Sequence, residues 1–244
     1  MSIAPDGIAA YDVEVEEPEH IPDLVNLTQE VGQYMPVMIG LNHHEGYDGP
    51  HAMRGRYEEF GDLEPGENVF RRPDGGKTVY TDDSKYALNI GAPLEPSEDK
   101  RANSYAEELH DFIDERTDMT FQRGERDLYL GGDQLFGVSQ RFQSSSAVLR
   151  AYWAQEVPEV YDLMEDDGIS EEEIGDHQQA MQKSAEVLGE QNFYQKVMDE
   201  FQAQELKSGD LLEYHNSNGK SARELLEEEG IHEPKVCFLE RPEK

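Results

Sequence analysis

The feature that most restricts the fold of this chain is a short segment whose residue types require a turn. Residues 70–82 read FRRPDGGKTVYTD, with a Pro-Asp-Gly-Gly step near the centre. Proline fixes its own φ, and glycine adopts positive φ without steric cost, so the chain is expected to reverse direction here. The β-branched and aromatic residues at 69–70 and 78–81 are typical of strands. The segment therefore predicts two strands joined by a tight loop that cations flank.

The chemistry of this turn points to a negatively charged ligand. The backbone N–H groups of Gly75 and Gly76 can approach a ligand closely because no Cβ intervenes, and successive amides of this kind bind anions. Arg72 carries a planar guanidinium suited to a carboxylate or phosphate, and Lys77 adds a point charge on the far side of the turn. The alternative is a surface hairpin whose cations only offset neighbouring acidic side chains.

The rest of the chain is strongly acidic, which makes a cationic turn unusual. Its 244 residues include 54 Asp and Glu against 21 Lys and Arg, a formal net charge of −33. Acidic runs at residues 14–19, 164–173 and 225–230 extend from one end to the other. Hydrated carboxylates spread in this way keep a protein soluble in concentrated salt, so the sequence predicts a halophilic host. A role as acidic partner of a basic protein is the alternative, which the even distribution disfavours.

The composition also disfavours several classes of function. Binding to bulk nucleic acid requires clustered Lys and Arg, so we expect no nucleic-acid partner. Cys237 is the single cysteine, and we expect neither a disulfide within the chain nor a cysteine-rich metal site. No apolar run approaches membrane-spanning length, and the first residues lack the basic and apolar regions of a secretory signal. We therefore expect a cytoplasmic protein, in a salt-rich cytosol, with no membrane partner.

Hydrophobic periodicity predicts strands mainly in the first two-thirds of the chain and helices later. The predicted strands are 11–15 at a sheet edge, 36–41, 69–70, 78–81, 86–90, a hairpin of 127–130 and 134–141 around Gly131 and Gly132, 147–155 with a helix as the alternative, and 235–239. The predicted helices are 21–34, a short helical turn within 52–60, one from about Ala102, a long helical zone of 174–201 opened by a capping box at Ser170, and one opened by a second capping box at Ser221.

This order of elements is typical of an α+β fold, in which a mixed or antiparallel sheet packs with helices. With 36% hydrophobic residues, the chain can supply one core. We expect one large domain over residues 1–207, and residues 208–244 as a small C-terminal extension.

Segments in the same order along the chain resemble the signature of the lipoate/biotin protein ligase family. Residues 71–82 are similar to its pattern RR-x-S/T-GGGA-V-Y/F-HD, and residues 35–44, MPVMIGLNHH, resemble its strand ending in Ile-Gly-Arg-x-Gln. Residues 126–141, RDLYLGGDQLFGVSQR, resemble its D-L-x-x-x-G-K-K-I-S-G-x-A-Q-R hairpin, and residues 144–153 the region that reads G-x-x-L-H-H-G. The resemblance covers about residues 35–165.

The resemblance implies a class II synthetase-like ligase domain that activates a lipoyl, octanoyl or biotinyl carboxylate. In the family's ligases, ATP with Mg²⁺ converts the acid to an acyl-adenylate, and the acyl group passes to a lysine of an acyl-carrier or lipoyl-domain protein. The loop would hold carboxylate and phosphate, and the hairpin would stabilise charge in the transition state. Carried over, the resemblance assigns catalytic roles to Gln134 and Lys77, and substrate binding to Arg71, Arg72, Gly75, Gly76, Tyr80, Asp82, Gly137, Ser139, Gln140 and Arg150.

The sequence departs from the family pattern at chemically central positions. Gln134 replaces the hairpin lysine, and a neutral amide bonds more weakly to developing negative charge than a cation does. Lys77 replaces the third glycine, Thr81 the histidine before the Asp, and Arg150 begins the segment that replaces His-His-Gly. In one interpretation, Lys77 or Arg150 restores the missing charge in an unusual ligase or acyltransferase. In the other, the fold persists as a non-catalytic binding or structural subunit of a cellular or viral assembly.

A separate loop is rich in possible metal ligands, namely His43, His44, Glu45, Asp48 and His51. Their spacing does not match a familiar helix-borne zinc pattern, so we expect a polar loop and no metal site.

Aromatic side chains late in the chain are predicted to form core rather than a cofactor site. Tyr152 and Trp153 are expected to pack inside, with stacking on a ligand as the alternative. The residues expected in a helix core are Phe193, Tyr194, Val197 and Phe201.

Overall fold

The structure is a computed structural model that describes residues 8–43, 49–59, 61–63, 68–93, 102–117, 119–124, 127–142 and 146–217. The strands within these ranges are β1 Ala9–Val15, β2 Val37–His43, β3 His51–Arg54, β4 Val69–Arg71, β5 Val79–Thr81, β6 Lys85–Pro93, β7 Gln122–Arg123, β8 Leu128–Leu130, β9 Asp133–Phe142, β10 Ser146–Ala154 and β11 Gln204–Lys207. The helices are α1 His20–Val31, α2 Ala102–Arg116, α3 Tyr161–Asp166, α4 Glu171–Ser184, a π-helical segment Ala185–Gly189, α5 Phe193–Glu200 and α6 Ser208–Ser217.

A mixed eight-stranded sheet forms the centre of the described chain, in the order β11-β1-β2-β6-β10-β9-β8-β7. Strand β1 pairs in parallel with both β2 and β11, and the other neighbours pair antiparallel. The predicted α+β fold with a mixed sheet packed with helices is therefore confirmed.

Helices cover both faces of this sheet because successive strand residues point to opposite sides and most of them are apolar. One core contains Leu88 and Trp153 from the sheet with Phe112 of α2 and Phe193 of α5. A second core, on the face that α1 covers, contains Val13, Ile39 and Leu41 from the sheet with Ile21 and Leu24 of α1. The sheet is thus buried on both sides along its central strands.

A smaller sheet of three strands, in the order β4-β3-β5, stands beside the large one. Its apolar side chains, among them Ala52, Val69 and Tyr80, pack with Val160 and Met164 around helix α3. The loop that joins β4 to β5 is the Pro-Asp-Gly-Gly turn. The small sheet therefore determines where that turn is presented.

Two local predictions are wrong. Residues 52–60 were expected to be a short helical turn, but their first part belongs to strand β3, His51–Arg54, because β4 and β5 pair with it on its two sides. Residues 11–15 were expected at a sheet edge, but β1 lies between β2 and β11. In both cases the deciding hydrogen bonds come from segments distant in sequence.

Other local predictions are confirmed. Gly131 and Gly132 form the β8–β9 turn with φ of 65° and 99°. Ser170 and Glu173 form the capping box at the start of α4, and residues 146–154 are a strand rather than a helix. The helical zone that follows is interrupted by the π-helical segment and by Asn192, whose φ is 49°. The four apolar residues predicted for the helix core, Phe193, Tyr194, Val197 and Phe201, are all buried.

Several predictions fall wholly or partly outside the described residues, among them the capping box at Ser221, the strand 235–239 and most of the loop 43–51. Helix α6 packs against β1 and α1, and its Leu212 is buried in the same core as Val13. A domain boundary at residue 208 stays a prediction. In the ranges that the structure describes, no helix is both long and apolar enough to cross a bilayer.

Candidate functional site

The double-glycine turn lies against strand β9 of the large sheet. A Cβ placed on Gly76 would be 3.7 Å from the Cβ of Ser139, and one placed on Gly75 would be 3.9 Å from the backbone oxygen of Gln140. A Cβ on Gly55 would lie only 1.9 Å from the carbonyl oxygen of Gly76, so the backbones of two loops of the small sheet nearly touch. The turn therefore faces the predicted hairpin strand.

Arg72 holds this turn together from inside. Its guanidinium donates from Nη1 to the carbonyl of Met53 at 2.7 Å, and from Nη2 to the carbonyls of Gly75 at 2.9 Å and Lys77 at 2.7 Å. Its Nε donates to the carboxylate of Asp74 at 3.2 Å. The residue is 2% exposed. Four of the five donors of this side chain are thus used within the protein, which fixes the path of the loop.

Asp74 brings a carboxylate into the middle of the site. Its Oδ2 accepts hydrogen bonds from the Ser139 hydroxyl and from Arg72 Nε, and its Oδ1 lies 3.9 Å from Nη1 of Arg150. Oδ1 accepts no hydrogen bond from any described residue. The side chains of Arg72, Asp74 and Arg150 are each 1% exposed, so two cations and one anion are buried together.

Strand pairing aligns the polar residues of the sheet in one row. Ser139 of β9 is paired with Arg150 of β10, which is paired with Asn89 of β6, which in turn is paired with Ile39 of β2. Directly paired residues on antiparallel strands point to the same face. The turn, Arg150 and Asn89 therefore belong to one site, on the face that α1 covers.

Tyr152 lies one step along the same face and borders this row. Its ring centroid is 4.2 Å from the guanidinium carbon of Arg150 and 5.9 Å from that of Arg72. Burial raises the pKa of Tyr152 to about 12, so the phenol is neutral and can act as a donor. Trp153, on the opposite face, packs in the core as predicted.

Asn89 is a site residue that sequence reasoning missed. It is fully buried, and neither its amide nitrogen nor its amide oxygen has a hydrogen-bond partner among the described residues. Unpaired buried amides are costly and uncommon. The available signal was a single polar residue inside the apolar strand YALNI, residues 86–90.

The exposed side of the turn has the features of a phosphate cradle. In the described part of the chain, the amides of Gly75 and Gly76 donate to no protein acceptor. Gly76 has a φ of 102°, and the side chain of Lys77 is exposed beside it. Successive free amides next to an ammonium group suit the phosphates of a nucleotide such as ATP. The described residues contain no group of three or more His, Cys, Asp or Glu that could hold a metal ion.

The hairpin places Gln134 beside the site without a positive charge. The Gln134 amide nitrogen lies 3.4 Å from where a Cβ of Gly137 would be, and Gly137 is paired with Tyr152 on the face of the site. A lysine from another element does reach the β8–β9 turn: Lys183 of α4 donates to Asp133 at 2.7 Å and to the Leu130 carbonyl. The Asp133 carboxylate neutralises the charge of this lysine. No motif in the sequence indicated that Lys183 would lie here.

The other predicted site residues make contacts elsewhere. Arg71 donates to the carbonyls of Gly55 at 2.7 Å and Glu58 at 2.9 Å. Asp82 accepts from the hydroxyl and amide of Ser84 and from the amide of Glu159. Gln140 brings its backbone oxygen toward Gly75, while strand alternation directs its side chain to the face opposite Ser139. A ligand role for these residues stays a prediction.

Tyr80 belongs to a separate buried cluster in the small sheet. Its hydroxyl donates to Asp167 at 2.5 Å, and Asp167 also pairs with Arg54 at 2.5 Å. Burial would raise the pKa of Asp167, but the hydrogen bonds from Arg54 and Tyr80 outweigh it and hold that pKa below its usual range. This pair provides an internal comparison for Arg72 and Asp74, because it is another buried Asp–Arg contact.

Comparisons with known proteins find similarity in structure but none in sequence. No protein-family model matches the sequence, and no curated protein matches it. The folded chain is similar to solved ligases. One is a bi-partite lipoate protein ligase from Thermoplasma acidophilum, described with its E2 lipoyl domain. It has a TM-score of 0.55 at 14% identity, over 97% of this chain and 99% of that chain.

Two further solved structures are similar. A protein from T. acidophilum described as a lipoate protein ligase, with bound lipoic acid, has a TM-score of 0.51 at 12% identity, over 90% of this chain and 94% of that chain. Lipoate-protein ligase A bound with ATP has a TM-score of 0.48 at 13% identity, over 90% and 94%. The two scores above 0.5 show that this chain has the lipoate protein ligase fold, as the resembling sequence segments predicted.

Proposed function

We propose that this protein is a divergent lipoate–protein ligase-like enzyme, which activates a lipoyl- or octanoyl-type acid and transfers it to a lysine of a carrier protein. The observation that carries the proposal is the double-glycine loop, held by Arg72, lying beside the buried row that contains Arg150 and Asn89. A row of this kind supplies charge and amide donors in a low-dielectric interior, where both act strongly on a carboxylate. The same fold occurs in a protein solved with lipoic acid.

We assign each residue a role in binding or catalysis from its position in the site. Arg150 and Tyr152 face the sheet side of the site, where they would orient the acid carboxylate. The amides of Gly75 and Gly76 and the ammonium of Lys77 would hold phosphate on the exposed side. The amide of Gln134 would donate to the acyl carbonyl, as a neutral substitute for a lysine. ATP with Mg²⁺ would supply the adenylyl group that turns the carboxylate into a transferable acyl group.

The proposed carrier is a lipoyl domain. The lipoate protein ligase with the TM-score of 0.55 is described with an E2 lipoyl domain, and the transfer reaction requires an accessible lysine on such a partner. The acidic surface of this chain favours a carrier whose contact face is basic, since opposite charges raise the rate of association.

The test is a reconstitution in concentrated potassium chloride. The full chain is incubated with ATP, Mg²⁺, a lipoyl domain, and octanoate or lipoate. We expect acid-dependent release of pyrophosphate and a mass increase of the lipoyl domain. Lys77→Met should reduce both signals, whereas Arg123→Gln, which removes an exposed surface cation paired with Asp111 and Asp114, should not. Absence of both signals for the folded wild-type protein would reject the enzymatic proposal.

A second candidate is a non-catalytic subunit of a larger assembly. It is favoured by two observations: the buried arginines are already paired with Asp74, and the hairpin carries Gln134 in place of a lysine. Native purification from the host, followed by size measurement and identification of partners, tests it. A stable complex without acid-dependent pyrophosphate release would support this candidate, and an isolated, catalytically active monomer would contradict it.

A further inference from the structure

Asp74 occupies the place in the site where charge pairing would hold a ligand anion. It lies close to two buried cations, Arg72 and Arg150, whose side chains are each 1% exposed. The distances differ on its two sides: Oδ2 is within hydrogen-bond distance of Arg72 and Ser139, and Oδ1 is 3.9 Å from Arg150. One oxygen is therefore well bound, and the other is held by charge alone.

The unmet hydrogen-bonding capacity of the site lies on the loosely held side. Asp74 Oδ1 accepts no hydrogen bond from a described residue, and the fully buried amide of Asn89 is unpartnered among them. Asn89 is paired with Arg150 across the strands. A buried polar group without a partner is unfavourable, so a ligand group that satisfied it would gain from entering. An oxyanion only accepts hydrogen bonds, so it would satisfy the amide nitrogen of Asn89 and take the place of the Asp74 carboxylate beside Arg150.

We propose that Asp74 is a resident counter-ion, which occupies the oxyanion position beside Arg150 and must turn away before a ligand carboxylate or phosphate can bind. The inference rests on the proposed function for the location of the ligand site, and it adds how that site is regulated. Arg150 cannot stay buried without a negative partner, because an unpaired internal charge is strongly unfavourable. Asp74 stabilises the empty site and, for the same reason, weakens the affinity for a ligand anion.

The loop geometry allows this exchange without unfolding. Arg72 keeps the turn in place through its bonds to the carbonyls of Met53, Gly75 and Lys77, none of which involves the Asp74 side chain. The exchange that we propose is a rotation of the Asp74 side chain while Arg72 holds the backbone of the turn in place.

The test compares anion binding by Asp74→Asn and the wild-type chain. Asparagine keeps the size of the side chain and an oxygen that can accept from Ser139, but it removes the charge. Each protein is titrated in the same potassium chloride concentration with octanoate and, separately, with inorganic phosphate, by calorimetry. We expect Asp74→Asn to bind octanoate at least about ten-fold more tightly, the factor that corresponds to one modest charge contact. If Asp74→Asn does not fold, as judged by circular dichroism, Asp74→Ser takes its place.

The matched control is Asp167→Asn, which removes a carboxylate from the other buried Asp–Arg pair. Its affinity for octanoate should stay within two-fold of the wild type's. Arg150→Gln combined with Asp74→Asn should lose the gain, because the cation that the ligand would contact is absent. Equal gains for Asp74→Asn and Asp167→Asn would overturn the proposal, since they would report net charge and not a specific site.

The two ligands separate this inference from the proposed function. A gain for phosphate alone would support the resident counter-ion and count against an acyl acid as the ligand. Equal octanoate affinity for wild type and Asp74→Asn would overturn the counter-ion and leave the proposed function standing. Absence of binding of either anion to the folded Asp74→Asn protein would overturn the inference.

Discussion

The hydroxyl of Ser139 on strand β9 donates a hydrogen bond to the carboxylate of Asp74 in the turn of the small sheet. This bond joins the two sheets of the protein at the site, across 65 positions of sequence. It also orients the carboxylate that Arg72 and Arg150 share. The relationship predicts that the stability of the turn and that of the large sheet are coupled.

A double-mutant cycle measures this coupling. We expect Ser139→Ala to lower the free energy of unfolding by about 1–3 kcal/mol, because it removes one of the two hydrogen bonds to a buried carboxylate oxygen. Ser139→Ala and Asp74→Asn should be non-additive by at least about 0.5 kcal/mol, since the two residues touch. Ser184→Ala, another fully buried serine, which bonds Ala154, should be additive with Asp74→Asn. Chemical denaturation supplies the free energies, and additivity in both cycles would contradict the coupling.

The two neighbouring arginines of the turn should differ sharply in their effect on folding. Arg72→Ala is expected to lower the free energy of unfolding by about 3–5 kcal/mol, because it breaks a buried ion pair and frees three carbonyls. Arg71→Ala should cost only about 1 kcal/mol, since Arg71 is exposed and water can replace its bonds. Thermal and urea unfolding of both variants would check this order, and equal losses would refute it.

Two glycines with nearly the same positive φ allow a controlled substitution. Gly76 has a φ of 102° and Gly132 a φ of 99°. Alanine at Gly132 meets nothing within 4 Å, so its cost should be the conformational strain of about 1–2 kcal/mol. Alanine at Gly76 would lie 2.8 Å from Nη2 of Arg72, which two carbonyl bonds hold in place. We expect Gly76→Ala to cost about 1–3 kcal/mol more than Gly132→Ala in denaturant titrations. Equal costs would mean that the turn yields easily.

Acid should destabilise the protein through His51. Burial lowers the pKa of His51 to about 4 from an ordinary value of 6.5. Between these values the unfolded chain binds a proton that the folded chain does not, so stability falls as the pH decreases from 6.5 toward 4. The wild type should lose about 2 kcal/mol more than His51→Gln between pH 7 and pH 5. Unfolding at fixed ionic strength measures the difference, and parallel pH profiles would show that folding does not lower the pKa of His51.

Restoring a charge to the hairpin should raise activity if the enzymatic proposal holds. Gln134→Lys would replace a neutral donor beside Gly137 with a charged one, which bonds developing negative charge about twice as strongly. We expect acyl transfer to a lipoyl domain to increase by about ten-fold, the effect of ~1.4 kcal/mol on a barrier. Gln179→Lys, which places a lysine on the exposed face of α4 near the same hairpin turn, serves as the control. Equal rates for wild type and Gln134→Lys would exclude Gln134 from the reaction.

Much of the fold follows from local sequence, and the site follows only in part. Apolar runs marked β2, β6 and β10, paired glycines marked the β8–β9 turn, and Ser170 with Glu173 marked the start of α4. Strand β11, residues Gln204–Lys207, does not alternate between apolar and polar residues. It forms because it can pair in parallel with the free side of β1. The strand at His51–Arg54 likewise depends on partners from elsewhere in the chain. Long-range pairing of this kind leaves no signature in the segment itself.

The same distinction applies to the site. The glycines and cations of the turn were visible as a pattern, because their residue types are chemically distinctive. That Arg72 would bond to its own loop, and that Asp74 would lie beside Arg150, depends on side-chain directions in three dimensions. Asn89 became a site residue only through its register opposite Arg150.

The position of β1 has a consequence for how the chain is made. Strand β1 ends at Val15, and its parallel neighbour β11 begins at Gln204, 204 − 15 = 189 residues later. During synthesis at 5–20 residues per second, the edge of β1 that pairs with β11 therefore stays unpaired for about 10 to 40 s after β1 leaves the ribosome. An unpaired strand edge can form hydrogen bonds with the strands of other nascent chains. Two carboxylates on alternate positions of this strand, Asp12 and Glu14, repel the same strand of a second chain during that interval. They therefore oppose aggregation of nascent chains.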